Sequence, residues 1–204
     1  MHKGIKPNHI QLNEGKQMKN VLIIVAHPRE ESLTMAMTKA YEEASKKAGN
    51  NVEVLDLYRC KKQQPFFTFE KANHLDQTEE MTYFQEQLSK ADEIVFFFPY
   101  WWGSMPAILK NYLDWNLSKG FAFTYENGRP KGLLKGKSVK IFTTTGAPKF
   151  IYSITGANRR LKNMFKEQIV EFCGMKLESC NIYGGVDTSG KNVEKILGDI
   201  PTRV

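Results

Sequence analysis

The chain has 204 residues, of which 41% are hydrophobic and 25% charged, and a formal net charge of +7. This suits a single domain with a real core and excludes global disorder. The longest apolar stretch, Ile94 to Trp102, is too short to span a bilayer and contains a proline.

No apolar segment followed by a cleavage site opens the chain, and the three cysteines, Cys60, Cys173 and Cys180, form no Cys-x-x-Cys pair. A cytoplasmic protein with structural thiols is the expectation. The positive charge is concentrated in two places. One is the first 19 residues, with Lys3, Lys6, Lys16 and Lys19 against Glu14. The other holds Arg159, Arg160, Lys162 and Lys166 against Glu167. Neither is interleaved with aromatics as a single-strand groove would be, so no nucleic-acid partner is expected and anionic small molecules fit better.

Residues 1–18 are polar and without periodicity, and read as a flexible extension preceding one domain over 19–204. Asn20 to Ala26 is a continuous apolar, β-branched run, the mark of a strand buried on both faces. From Leu33 the apolar positions 33, 36, 37, 40, 41, 44 and 48 form a helical stripe, stopped at Gly49. Val52 to Leu57 predicts a second strand, 60–77 an irregular aromatic segment, and Thr78 to Lys90 a polar helix. Glu93 to Phe98 is a third buried strand, and Ser104 to Asn116 a helix with Pro106 in its first turn. A Gly- and Lys-rich loop leads to a fourth strand, Val139 to Thr144. Asn158 to Cys173 predicts a helix ended by Gly174, Leu177 to Tyr183 a fifth strand, and 191–198 a final helix. Alternation of this kind means an α/β domain with a parallel sheet and helices on both faces. Ligands in such sheets bind beyond the carboxyl ends of the strands, where the order reverses.

Several familiar signatures are absent. There is no Gly-x-Gly-x-x-Gly after the first strand, and no Gly-x-Ser-x-Gly elbow. Gly132 to Ser138 resembles a phosphate loop but is one residue short and leads into a strand. The four histidines are scattered, so no metal site is expected.

What stands at the strand ends is more informative. After the first strand, Ala26-His27-Pro28-Arg29-Glu30-Glu31-Ser32-Leu33-Thr34 brings a histidine and two hydroxyls to a helix N-terminus, where an anion is favoured; equally, Ser32 merely caps the helix. After the third comes Pro99-Tyr100-Trp101-Trp102-Gly103-Ser104. Its three adjacent aromatics suit either a flat ligand or a dimer contact. After the fourth, Thr143-Thr144-Thr145-Gly146-Ala147-Pro148 offers hydroxyls and backbone donors to the polar edge of a heterocycle.

These blocks, in this order, together with Gly120-Phe121-Ala122-Phe123 and Lys131 to Lys137, resemble the flavodoxin-like NAD(P)H:quinone oxidoreductase family, the DT-diaphorase type. The similarity runs from about Lys19 to Tyr183. It implies a flavodoxin-like three-layer α/β sandwich with a five-stranded parallel sheet in the order 2-1-3-4-5, in a homodimer with the flavin near the interface. It implies a flavin, FMN or FAD, with its phosphate near His27, Ser32, Leu33 and Thr34. The ring would lie along Pro99, Tyr100, Trp101, Trp102 and Gly103 and along Thr144, Thr145, Gly146 and Ala147. The implied reaction passes a hydride from NAD(P)H to the flavin, then two electrons to a quinone-like acceptor, in ping-pong order. Relatives use a tyrosine and a histidine past the Thr-Thr-Gly loop; Tyr152 matches the tyrosine, and Asn158 occupies the histidine position. A flavin-binding electron carrier and a regulatory subunit of an ion-transport system are the alternatives, although carriers of this type are usually acidic.

Overall fold

The computed structural model describes residues 17–70, 75–186, 190 and 192–204. In chain order its elements begin with β1 (Asn20–Val25), α1 (Leu33–Lys47), β2 (Asn51–Asp56), α2 (Glu79–Lys90), β3 (Glu93–Pro99) and α3 (Ala107–Asn116). There follow β4 (Phe123–Glu126), β5 (Arg129–Gly132), β6 (Ser138–Thr144), α4 (Lys149–Ile154) and α5 (Ala157–Phe165), which continues as a π-helical turn over Lys166–Val170. Strand β7 (Lys176–Tyr183) and α6 (Val193–Asp199), with a 3-10 turn over Ile200–Arg203, complete the chain. The expected extension over 1–18 lies outside the described residues except for 17 and 18, where Met18 is exposed.

The main sheet runs β2-β1-β3-β6-β7, all parallel, the expected order of five strands. Period-two alternation sorts the strand residues into two cores. Val21, Ile23, Val25, Val95, Phe97 and Phe142 pack with Met37 and Tyr41 of α1 and with Ile196 and Ile200. Leu22, Ile24, Ile94, Phe96, Phe98 and Ile141 pack on the other face with Phe84, Leu88, Leu109 and Phe165 from α2, α3 and α5. Burial on both faces is why these strands read as unbroken apolar runs.

Four expectations are corrected. The Gly- and Lys-rich loop contains an antiparallel hairpin, β4–β5, whose two-residue turn is Asn127-Gly128, with φ of 52° and 74°. Asn-Gly is the preferred pair for a turn with both central residues left-handed. Helix α3 starts at Ala107, not Ser104, because Ser104 is bonded into the turn before it. The long helix expected over 158–173 is α5 plus a π turn, preceded by the short α4. The final helix expected over 191–198 is observed as Val193–Asp199, and its expected first residue, 191, lies outside the described residues.

Where the hairpin meets the end of the π turn, two glycines stand back to back. A Cβ on Gly132 would lie 2.1 Å from the Gly174 nitrogen, so no side chain fits there. Lys137, at the end of the phosphate-loop look-alike, caps α2 instead: its Nζ donates to the carbonyls of Ser89 and Ala91, both at 2.7 Å.

Candidate functional site

Strands β1, β3 and β6 are neighbours, so the segments following them lie side by side at the carboxyl end of the sheet. The chain leaves β1 toward β2 on one side, and leaves β3 toward β6 on the other, which makes the β1–β3 boundary the point of reversal. All three informative loops converge there. The ring of His27 stands 6.0 Å from that of Trp101. Tyr100 N–H donates to the Thr144 carbonyl at 2.8 Å. The Tyr100 and Tyr152 rings meet edge to face at 5.5 Å, which brings α4 into the same group. The Thr145 to Ala147 segment is tied to the end of β7 by Thr145 N–H to Tyr183 O and Gly185 N–H to Ala147 O, each 2.9 Å.

The β1 loop presents a helix start with free donors. Ser32 Oγ accepts from Met35 N–H at 3.3 Å, and Ala36 N–H reaches the Ser32 carbonyl. Among the described residues the N–H groups of Leu33 and Thr34 have no partner, and the first turn of this 15-residue helix carries no acid. Ser32 is therefore a cap, as one of the sequence alternatives has it, and the first N–H groups of α1 are free to donate. His27 Nδ1 lies 3.1 Å from both the N–H and the carbonyl oxygen of Arg29, so the loop holds the ring by that nitrogen. Burial, aided by the charges of Arg29 and Arg59, holds its pKa below the ordinary 6.5, so the ring is neutral at pH 7.

The β3 loop is a tight turn. Trp101 and Ser104 exchange both backbone bonds, at 3.0 and 2.9 Å, around Trp102 (φ 51°) and Gly103 (φ 77°). Glycine adopts this backbone freely, whereas a bulky residue pays of order 1–2 kcal/mol for it. The three aromatics separate by burial: Tyr100 is 7% exposed, Trp101 42%, and Trp102 fully exposed. Burial raises the Tyr100 pKa, with the neighbouring Tyr152 adding to it and Arg160 opposing, so Tyr100 is a neutral phenol. The N–H groups of Trp102, Gly103, Gly146 and Ala147 have no partner among the described residues. Pro99 and Thr144, the last residues of their strands, are buried beneath these loops. Thr143 Oγ1, just before the β6 loop, is buried without a partner.

Asn158 is placed differently. Its Nδ2 donates to Ser153 Oγ at 3.2 Å, its Oδ1 is buried without a partner, and it lines a cleft beside β7 with Arg159 and Lys162. Tyr152, in contrast, stands with the aromatic group.

Sequence reading missed Arg59. Its guanidinium donates to the carbonyls of His27 (3.3 Å) and Pro28 (2.8 Å) while paired with Asp56 at 2.7 Å, so it braces the β1 loop from the end of β2. No local motif marks this residue; the pairing of Val25 with Asp56 brings it into reach. A second missed feature is an apolar cleft of about 980 Å3 that opens beside Ser104 and Met105 and is lined by Leu113, Phe123, Ile169 and Phe172. No described helix is long and apolar enough to cross a membrane.

Residues 19–200 match the family described as having the flavodoxin-like fold. A Haemophilus influenzae protein named an uncharacterized NAD(P)H oxidoreductase is 34% identical over 182 residues, covering 87% of this chain and 90% of its own. The Mus musculus ribosyldihydronicotinamide dehydrogenase (quinone) is 30% identical over 205 residues, covering 88% and 87%. A solved Streptococcus mutans structure superposes with a TM-score of 0.78 at 27% identity, over 90% of this chain and 97% of that one. The NAD(P)H:quinone oxidoreductase of Methanothermobacter marburgensis shares the fold with a TM-score of 0.82 at 24% identity, over 91% and 97%.

Proposed function

The chain belongs to the flavodoxin-like fold family, and on that premise we propose that it is a flavin-dependent NAD(P)H:quinone oxidoreductase. The observation that carries this reading is the convergence of an open helix start, an aromatic turn and a Thr/Gly loop at one point of the sheet. The residues present fit a flavin. The unpartnered N–H groups of Leu33 and Thr34, with the Ser32 hydroxyl and the neutral His27, suit its phosphate. The Pro99 to Gly103 turn and the donors of Gly146 and Ala147 suit a flat ring with a polar edge. When bound, the flavin supplies the two-electron redox chemistry between NAD(P)H and the acceptor.

The chain's own residues bind, orient and manage charge. Tyr100 presents a neutral phenol, and Tyr152 stands against it with a hydroxyl that can donate a hydrogen bond where negative charge develops. Asn158 cannot titrate, and its hydrogen bond to Ser153 makes it a support for α4. The exposed Trp102 forms the outer edge of the site, against which a flat acceptor stacks. NAD(P)H and acceptor use the same open face in turn, which gives ping-pong kinetics. A second copy of the chain covers the apolar cleft beside Met105, next to the site, in a homodimer. Three unpaired thiols suit a cytoplasmic setting; burial pushes those of Cys173 and Cys180 up to about 11, so both are protonated and unreactive.

The test is a flavin titration followed by absorbance, then initial rates of NAD(P)H oxidation with a benzoquinone. Micromolar flavin binding and parallel double-reciprocal lines are expected. Failure to bind FMN or FAD overturns the reading, while binding without turnover leaves a carrier or regulatory subunit.

A further inference from the structure

Strand β7 ends the sheet: β6 pairs with it on one side, and among the described residues no strand pairs with it on the other. The Tyr183 carbonyl accepts from Thr145 N–H on the β6 side. By the alternation of a strand, Cys180 and Ile182 then turn their N–H and C=O groups to the free edge. Among the described residues, none bonds those groups from outside the sheet.

A cleft of about 920 Å3 runs along this edge. Five consecutive residues, Cys180 to Gly184, line it. Alternate side chains of a strand point to opposite faces, so a cleft that meets all five follows the backbone. Arg159, Lys162 and Lys166 stand on one wall, from α5 and its π turn; Lys195 and Arg203 stand on the other, from α6 and the turn after it. Among the described lining residues the one carboxylate is Asp199, and it is engaged by Arg203 (2.9 Å) and Tyr183 (2.8 Å). Lys166 reaches Glu171 at 3.6 Å, but Arg159, Lys162 and Lys195 have no ion-pair partner among the described residues. Cations placed on the edge strand itself would discourage sheet growth. β7 carries one cation, Lys176 at its start, outside the lined stretch; the cations of the cleft stand on flanking helices and turns and face a groove.

We propose that this edge binds an acidic, extended peptide segment of another protein. The segment adds to β7 as a sixth strand through main-chain hydrogen bonds at Cys180 and Ile182, and its carboxylates meet Arg159, Lys162 and Lys195. The lined stretch is roughly 13 Å long at about 3.3 Å per residue, so about five residues of the partner engage. Charge selects this occupant over two others. A second copy pairing its own β7 edge would set cations against cations. The chain's amino-terminal residues, with Lys3, Lys6, Lys16 and Lys19 against Glu14, carry the same sign as the cleft.

The experiment is fluorescence anisotropy of a labelled, acetylated heptapeptide rich in glutamate, titrated with the full chain. Micromolar-range binding is expected, weakened at least about tenfold by the double substitution Lys162→Glu, Lys195→Glu and by about 0.5 M salt. Circular dichroism checks that the variant folds. A peptide N-methylated at alternate residues, with its charge intact but its strand edge blocked, is expected to bind at least about tenfold more weakly. Equal affinity of the two peptides, an unaffected double variant, or no binding up to about 1 mM overturns the proposal. So does tighter binding of tripolyphosphate or a single-stranded oligonucleotide at the same cleft, which would make it a site for phosphate.

Discussion

At the amino end of the sheet Glu93 is 2% exposed, yet its carboxylate is fully partnered. Just past the carboxyl end of the same strand, Trp102 stands in solvent on left-handed backbone, and the N–H groups of Trp102 and Gly103 have no partner among the described residues. Glu93 accepts from Tyr41 Oη at 2.6 Å and pairs with Lys19 at 3.2 Å and Lys140 at 3.3 Å. Lys140 also donates to Tyr41 Oη and to the Arg203 carbonyl. This cluster ties α1, β1, β3, β6 and the chain's last turn together. Burial alone would raise the Glu93 pKa; the Tyr41 hydrogen bond and the two lysines outweigh it and hold the carboxyl below its ordinary value. One end of the sheet satisfies its polar groups internally and serves stability. The other leaves donors open, and open donors are what a ligand needs.

The largest expected effect is at the closed end. Glu93→Ala leaves Lys140 without its closest counter-charge in a buried setting, and should lower unfolding free energy by about 3–5 kcal/mol in urea titrations. Flavin affinity should not change; a parallel loss of affinity would break the contrast between the ends. The same residue predicts a pH dependence. A carboxyl whose folded pKa lies below its unfolded 4.5 stabilises the protein above that value, and the contribution disappears as pH falls through the folded pKa. Acid titration of stability should therefore be flatter below pH 4.5 in Glu93→Gln.

At the open end, Tyr152→Phe should slow the reductive half-reaction by about 100-fold, the lower range for loss of a positioned proton donor, with stability unchanged. Asn158→Ala should slow it less. Stopped-flow traces at wild-type speed for Tyr152→Phe would remove this tyrosine from the site. Ser32→Ala sits between the two categories. Loss of the cap should lower stability by about 1 kcal/mol and weaken flavin binding as well, read by thermal melts and absorbance titration. The smallest effect is the most diagnostic. Trp102→Gly should raise stability by up to about 1 kcal/mol, through relief of the left-handed backbone, while weakening flavin or acceptor binding. If stability falls instead, Trp102 holds the fold and the site reading loses its outer wall.

The legibility of each feature follows from how locally it is specified. The runs at 20–26 and 93–98 announce buried strands because both of their faces meet helices. The loops after β1, β3 and β6 are legible as neighbours because parallel topology carries all strand ends to one edge. The hairpin is harder to read although Asn127-Gly128 marks it: both strands are four residues long, and only β4, through Phe123 and Tyr125, alternates apolar with polar residues, while β5 is Arg-Pro-Lys-Gly. The split between α5 and the π turn left no sequence signal beyond Gly174.

The order of the five strands is what the family resemblance implies; from the residues themselves come the strand–helix alternation, the parallel sheet and the three loops at its carboxyl end. Each depends on side-chain periodicity or on turn chemistry within a few residues. Tertiary structure alone decided the rest. It set Arg59 against His27 across two strands, buried Tyr100 while exposing Trp102, and turned Asn158 toward Ser153 and the cleft beside β7. It also gathered Tyr41, Glu93 and Lys140, separated by up to 99 positions, into one buried network. Partners this distant are chosen by strand register and helix packing, and neither is written in any window of the chain.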